Sequence, residues 1–155
     1  MAKKILFVCT GNTCRSSMAE ALARAAAAAM NRPDLQFSSA GILAWPGDQA
    51  SAQAVEALAA QGIDLSQHRA ALLTPELVQQ ADLVLTMTDS HRRHILRLVP
   101  AAAGKVFTLG EFAGRPGDVA DPFGGSTDHY RRCAAELNTL ICQALQKIDR
   151  EPASS

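Results

Sequence analysis

The chain has 155 residues, 48% apolar and 19% charged, the make-up of one globular domain over residues 1–150, burying roughly two-thirds of its unfolded surface. Its 15 Lys and Arg balance 15 Asp and Glu, so no broad field draws it to nucleic acid or to a membrane surface. No run approaches the ~18 apolar residues of a membrane span. The apolar stretch Ile5–Val8 stops at Cys9, short of the ~7–15 residues of a secretory signal, so a cytoplasmic location is expected.

In chain order, Lys4–Val8 reads as a buried strand and is followed by the polar loop Cys9-Thr10-Gly11-Asn12-Thr13-Cys14-Arg15-Ser16. An alanine-rich helix runs from about Ser17 to Met30 and stops at Asn31-Arg32-Pro33. Ser17-Met18-Ala19-Glu20 fits a capping box at its start. Leu35–Ser39 is a second strand, with Ala40-Gly41 as its exit. The loop around Trp45-Pro46-Gly47-Asp48 leads into a helix over Ser51–Gln61, with Ala54, Val55, Leu58 and Ala59 as its apolar stripe. Thr74-Pro75-Glu76 is an N-cap followed by proline at the first helical position. Leu83–Met87 is a third strand, Asp89–Leu98 a helix, and Lys105–Leu109 a fourth strand. A loop rich in Gly and Pro then carries Asp121-Pro122 before a last helix from about Asp128 to Asp149. The tail Glu151–Ser155 is expected to fray.

Strands alternating with helices over short loops imply a three-layer α/β/α sandwich around a four-stranded, mainly parallel sheet. Ligands of such sheets bind at the carboxyl ends of the strands. Cys9 sits at such an end. A strand, a loop and a helix N-terminus in succession aim backbone N–H groups at one point, which makes an anion cradle with a thiol at its floor. Phosphoryl transfer needs an in-line nucleophile, stabilisation of the equatorial oxygens and a proton for the leaving atom. Cys9 supplies a sulfur nucleophile whose thiolate is favoured beside a helix N-terminus and an arginine. Arg15 offers a planar fork for two phosphate oxygens. Gly11 lets the backbone fold beneath the anion, and Asn12 tolerates a left-handed backbone. Ser16 has a hydroxyl to give the thiolate, or serves simply as helix cap. No metal or other cofactor is required.

Cys9-x5-Arg15-Ser16 near the N-terminus, Ser39-Ala40-Gly41 after the second strand and Asp121-Pro122 before the last helix together resemble the low-molecular-weight protein phosphatases, from Ile5 to about Leu145. The resemblance implies hydrolysis of phosphorylated protein side chains through a phosphocysteine, with Asp121 as the acid that protonates the leaving atom. It also implies that Ser39 partners Asn12, and that Cys14 can close a protective disulfide with Cys9. Ser17 departs from the family, where proline is common. Thr13, four residues past the nucleophile, should project near the pocket mouth. Tyrosine-specific relatives have a branched aliphatic residue there, whereas the protein-arginine phosphatases of bacteria have threonine, whose hydroxyl can bond a guanidinium. Phe123 followed by Gly124 also matches the arginine branch, because tyrosine-specific relatives often carry two aromatics. Trp45 points the other way, falling where those relatives contribute a pocket aromatic. Phosphoarginine is therefore favoured, with phosphotyrosine as the alternative.

Two lesser alternatives are weighed. Arsenate reductases of this type need further redox cysteines after the third strand, and Thr86–His94 has none. A phosphoprotein-binding module without catalysis would be expected to lose Cys9 or Asp121. Cys133 and Cys142, nine apart in a helix, fall on opposite faces and read as packing thiols. His91 and His94, beside Arg92 and Arg93, read as a solvated helix face. Partners are phosphorylated proteins, and a monomer is expected.

Overall fold

The computed structural model describes residues 2–150. The elements are β1 (Lys3–Cys9), α1 (Arg15–Ala29), β2 (Leu35–Gly41), α2 (Ala52–Ala59), α3 (Pro75–Gln80), β3 (Leu83–Thr86), α4 (Asp89–Leu98), a 3₁₀ turn (Pro100–Ala102), β4 (Val106–Thr108), α5 (Leu109–Ala113) and α6 (Thr127–Arg150). All strands run parallel in the order β2-β1-β3-β4. The expected three-layer α/β arrangement is therefore present. No helix among the described residues is long and apolar enough to cross a membrane.

Alternation along β1 divides the core. Ile5, Phe7 and Cys9 face one side and pack with Met18 and Leu22 of α1, Leu58 of α2 and Leu137, Ile141 and Leu145 of α6. Leu6 and Val8 face the other side and pack with Val78 of α3 and Ile95 of α4. A central parallel strand with both faces covered must be apolar at every position, and Ile5–Cys9 is buried throughout.

Several boundaries differ from expectation for local reasons. Helix α1 starts at Arg15, and the capping box does not form: Ser17 lies inside the first turn and its Oγ donates to the Cys14 carbonyl at 3.0 Å. Glu20 instead accepts from Ser39 Oγ at 2.6 Å and pairs with Arg24 at 2.6 Å. The helix ends where Asn31 turns left-handed at φ 56°, ahead of Pro33, so asparagine makes the stop and proline only enforces it. Strand β2 continues through Ala40-Gly41, paired with Val8 and Cys9. In α2 the buried residues are Ala54, Ala57 and Leu58, with Ala59 exposed. Strand β4 is short because Thr108 caps α5, its Oγ1 accepting from Glu111 N–H at 3.1 Å. Sequence periodicity missed this five-residue helix. Thr74 caps α3 with Pro75 in the first turn, and α4 spans the expected residues. The expected fraying of Glu151–Ser155 falls outside the described residues.

Candidate active site

Strand β1 delivers Cys9, 1% exposed, to the carboxyl edge of the sheet, where the chain turns into α1. Gly41 on the neighbouring strand makes that turn possible. A Cβ there would lie 2.6 Å from Thr10 O, 2.8 Å from Asn12 N and 2.9 Å from Ala44 Cβ. The loop's left-handed residue is Asn12, at φ 58°. Gly11 has no positive φ, and a Cβ on it would meet only Thr13 Oγ1, at 3.6 Å. The close approach expected of Gly11 is thus made possible by Gly41.

Asn12 organises the loop. Its N–H donates to Cys9 Sγ at 3.3 Å. Ala71 N–H, which can only donate, points at Asn12 Oδ1 at 2.9 Å. That fixes the amide so that Nδ2 donates to Ser16 Oγ at 2.8 Å. The Ser16 hydroxyl hydrogen then has two acceptors in reach, Cys9 Sγ at 2.9 Å and the more distant Ala40 carbonyl at 3.5 Å. This chain of donors runs from Ala71 through Asn12 and Ser16 to the Cys9 sulfur. Ser39 takes no part: it bonds Glu20, so the expected Asn12–Ser39 pair does not form and Ala71 replaces it.

Two histidines clamp the loop, and neither role was evident from sequence. His68 Nε2 donates to the Asn12 carbonyl at 2.7 Å. His91, 6% exposed, is not on a solvated face: its Nε2 lies 2.9 Å from Thr10 Oγ1, and its Nδ1 accepts from Thr88 N–H at 3.2 Å. Burial and then the Arg15 charge push its pKa down to about 4, so the ring is neutral at pH 7.

Arg15 is 4% exposed. Nη1 donates to the Val119 carbonyl at 3.0 Å, and Nη2 lies 3.5 Å from Asp121 Oδ2. Its Nε is buried and has no protein partner. A buried guanidinium N–H without an acceptor is costly unless something negative meets it. Asp121 is half exposed, and its Oδ1 accepts from Phe123 N–H at 3.0 Å, which orients the carboxylate at the loop's rim. Phe123 and Trp45 are largely exposed. Thr13 is half-buried, its carbonyl held by Ser51 N–H at 2.9 Å.

Cys14 Sγ lies 3.9 Å from Asp121 Oδ1. Burial, then the nearby Cys9 sulfur, push its pKa up to about 11, so it stays a thiol at neutral pH. All four cysteines are free. Cys133 is buried in the core, as a packing thiol should be, with its pKa pushed up to about 12 by desolvation.

Arranged this way, the residues can hold a tetrahedral oxyanion against Arg15 and the loop N–H groups, attack its centre with sulfur, and offer a carboxyl group to the departing atom. A family model described as low molecular weight phosphotyrosine protein phosphatase matches residues 4–154. A protein-arginine-phosphatase of Geobacillus stearothermophilus is 43% identical over 97% of this chain and 99% of its own. The low molecular weight protein-tyrosine-phosphatase Ptp of Acinetobacter johnsonii is 42% identical over 94% of this chain and 98% of its own. A solved structure of the arginine phosphatase YwlE, a mutant whose active-site serine is phosphorylated, superposes with a TM-score of 0.91 at 44% identity, covering 96% of this chain and 97% of that one.

Proposed function

The chain belongs to the low molecular weight phosphotyrosine protein phosphatase family, and we propose that within it this phosphatase hydrolyses phosphoarginine in proteins, using Cys9 as nucleophile and Asp121 as proton carrier. The observation that carries the catalytic assignment is the buried Arg15 Nε without a protein partner, set beside a sulfur that already receives Ser16 and Asn12. An anion at that point completes the donor set.

In the first step the Cys9 thiolate attacks phosphorus, and the P–N bond to the guanidine breaks as the Asp121 carboxyl gives its proton to the leaving nitrogen. Arg15 and the loop N–H groups hold the equatorial oxygens. In the second step a water loses a proton to the Asp121 carboxylate and attacks the phosphocysteine, breaking the P–S bond to release phosphate and restore the thiolate. An unprotonated guanidine is a worse leaving group than a phenolate, whose conjugate acid has a pKa of ~10. The acid therefore matters more for phosphoarginine than for phosphotyrosine.

Specificity rests on Thr13 and on the Asp121 loop. Thr13 brings a hydroxyl to a position where an aliphatic side chain would offer only an apolar wall. Gly124 sits at φ +79°, a backbone that an aromatic residue would strain, which weighs against a paired-aromatic wall. The exposed aromatics Trp45 and Phe123 favour phosphotyrosine as the second reading, since they can flank a phenyl ring. The deciding experiment compares kcat/KM on phosphoarginine and phosphotyrosine peptides for the wild type and Thr13→Ile. Loss of one hydrogen bond to a charged group is worth ~1.5–3 kcal/mol. The phosphoarginine-to-phosphotyrosine ratio should thus fall by on the order of 10- to 100-fold. An unchanged ratio removes Thr13 from specificity.

The same reading places the enzyme in a reducing compartment, the cytoplasm. A catalytic thiol must stay reduced to act as nucleophile. Cys14, next to Cys9 in space and on the same loop, is the thiol proposed to trap an oxidised Cys9 as a reversible disulfide.

A further inference from the structure

The loop is tied to the protein from two flanks. On one, Ile42 N–H reaches the Cys9 carbonyl at 3.0 Å, Leu43 N–H the Thr10 carbonyl at 2.9 Å and Ser51 N–H the Thr13 carbonyl at 2.9 Å, while His68 and Ala71 hold Asn12. On the other flank α4 contributes His91. The tautomer of that ring is set by its neighbours. Thr88 N–H can only donate, so Nδ1 carries the lone pair, and the proton sits on Nε2, which donates to Thr10 Oγ1. Thr88 Oγ1 in turn accepts from His91 N–H at 3.2 Å, so the imidazole is locked by a reciprocal helix cap. A residue in the first turn of α4 therefore fixes the first residue after Cys9.

We propose that His91 is a positioning residue for the phosphate loop: as an uncharged donor it pins Thr10, and through Thr10 it holds the following N–H groups in the geometry that receives phosphate. The inference rests on residues 9–15 being the phosphate site. It adds a residue far away in sequence whose charge state governs the loop. Protonation would place a second proton on Nδ1, facing the Thr88 N–H, and the two donors would repel. The ring would have to leave its cap and release Thr10. The charged or titratable groups facing the ring are Arg15 from α1, Asp118 and Asp121 from the loop before α6, and His94 from its own helix. Arg15 opposes protonation, and the two carboxylates favour it.

The test measures binding of inorganic phosphate by calorimetry, and its inhibition of aryl phosphate turnover, in His91→Ala, Thr10→Val, the combined variant and His91→Gln. Calorimetry needs no turnover, so it reads the clamp even if the proposed substrate is wrong. A wild type that binds phosphate yet hydrolyses neither aryl phosphate nor phosphoarginine would overturn the catalytic reading alone. One neutral hydrogen bond is worth ~0.5–1.5 kcal/mol. Each single variant should accordingly weaken phosphate binding by about 3- to 10-fold. The combined variant should be no weaker than the singles, because both remove one interaction. His91→Gln, which keeps an N–H at similar reach, should recover most of the loss. Thr10 is exposed, so Thr10→Val tests the contact without disturbing the core. Unchanged phosphate affinity in His91→Ala and Thr10→Val, or losses that multiply in the combined variant, would overturn the proposal.

Discussion

Gly41 should be a glycine whose loss disturbs the Cys9–Arg15 loop, although it lies outside that loop. In Gly41→Ala the new methyl meets Thr10 O at 2.6 Å, Asn12 N at 2.8 Å and Ala44 Cβ at 2.9 Å, against about 3.4 Å for ordinary contact. Two of these atoms are backbone and the third is a rigid methyl, so no rotamer change relieves the clash. The loop must move away from β2 by about 0.5–0.8 Å, at a cost of ~1–3 kcal/mol for overpacking. The displaced Asn12 N–H is the one that donates to Cys9 Sγ. Activity should therefore fall along with stability, by about tenfold or more in kcat/KM. Gly11→Ala is the control: with an ordinary φ and a nearest neighbour at 3.6 Å, it should leave stability unchanged or raise it by ~0.4–1 kcal/mol through the unfolded chain. The single tryptophan is 76% exposed and makes a poor probe, so urea unfolding should be followed by far-ultraviolet circular dichroism. Wild-type stability in Gly41→Ala, or a larger loss in Gly11→Ala, would refute the assignment of steric roles.

Two further outcomes are expected. His91 binds its proton in the unfolded chain near 6.5 and in the native protein only near about 4, so between those values the unfolded state holds more protons and stability rises with pH. The gap is worth at most about 3 kcal/mol, and nearer 2 with partial solvent screening at the ring. That stability is fully present above pH 6.5 and is lost as pH falls towards 4. The difference in unfolding free energy between wild type and the non-titrating His91→Gln should shift by this amount between pH 7 and 4, with a constant difference counting against it. Ser16→Ala and Asn12→Asp should each slow turnover by on the order of 10- to 100-fold, because one removes the hydroxyl that reaches Cys9 and the other turns that hydroxyl towards a carboxylate. Wild-type kcat in either variant would break the donor chain ending on sulfur.

Features written locally were readable from sequence. The unbroken apolar run Ile5–Val8 specifies a strand buried on both faces, and Thr74-Pro75 specifies a helix start, because in each case a few neighbouring residues determine the outcome. Cys9, Arg15 and Ser16 meet at one helix N-terminus for the same reason: six or seven residues of spacing leave little freedom. Serine 17 shows where local reading fails. Its sequence suits a capping box, yet the geometry of the Cys9–Cys14 loop starts the helix earlier, at Arg15, and Glu20 bonds Ser39. The five-residue helix α5 was missed because so short a segment carries no period to detect.

What stayed hidden was the support of the loop. Ala71 contributes only a backbone N–H, which no side chain advertises, and Gly41 acts through the atom it lacks. His68 and His91 look like unremarkable polar residues in charged surroundings. They act on the loop only because β1 lies between β2 and β3, which brings the segments following those two strands to opposite flanks of residues 9–15. The cluster of Cys9, Arg15 and Ser16 is thus encoded in one short stretch, while its support is encoded in strand order. A parallel sheet with its central strand first in sequence gathers clamps from both sides at a single carboxyl end. It follows that changes at residues 41, 68, 71 and 91 should alter phosphate affinity more than global stability would suggest, since each acts on the backbone proposed to hold the anion rather than on the core.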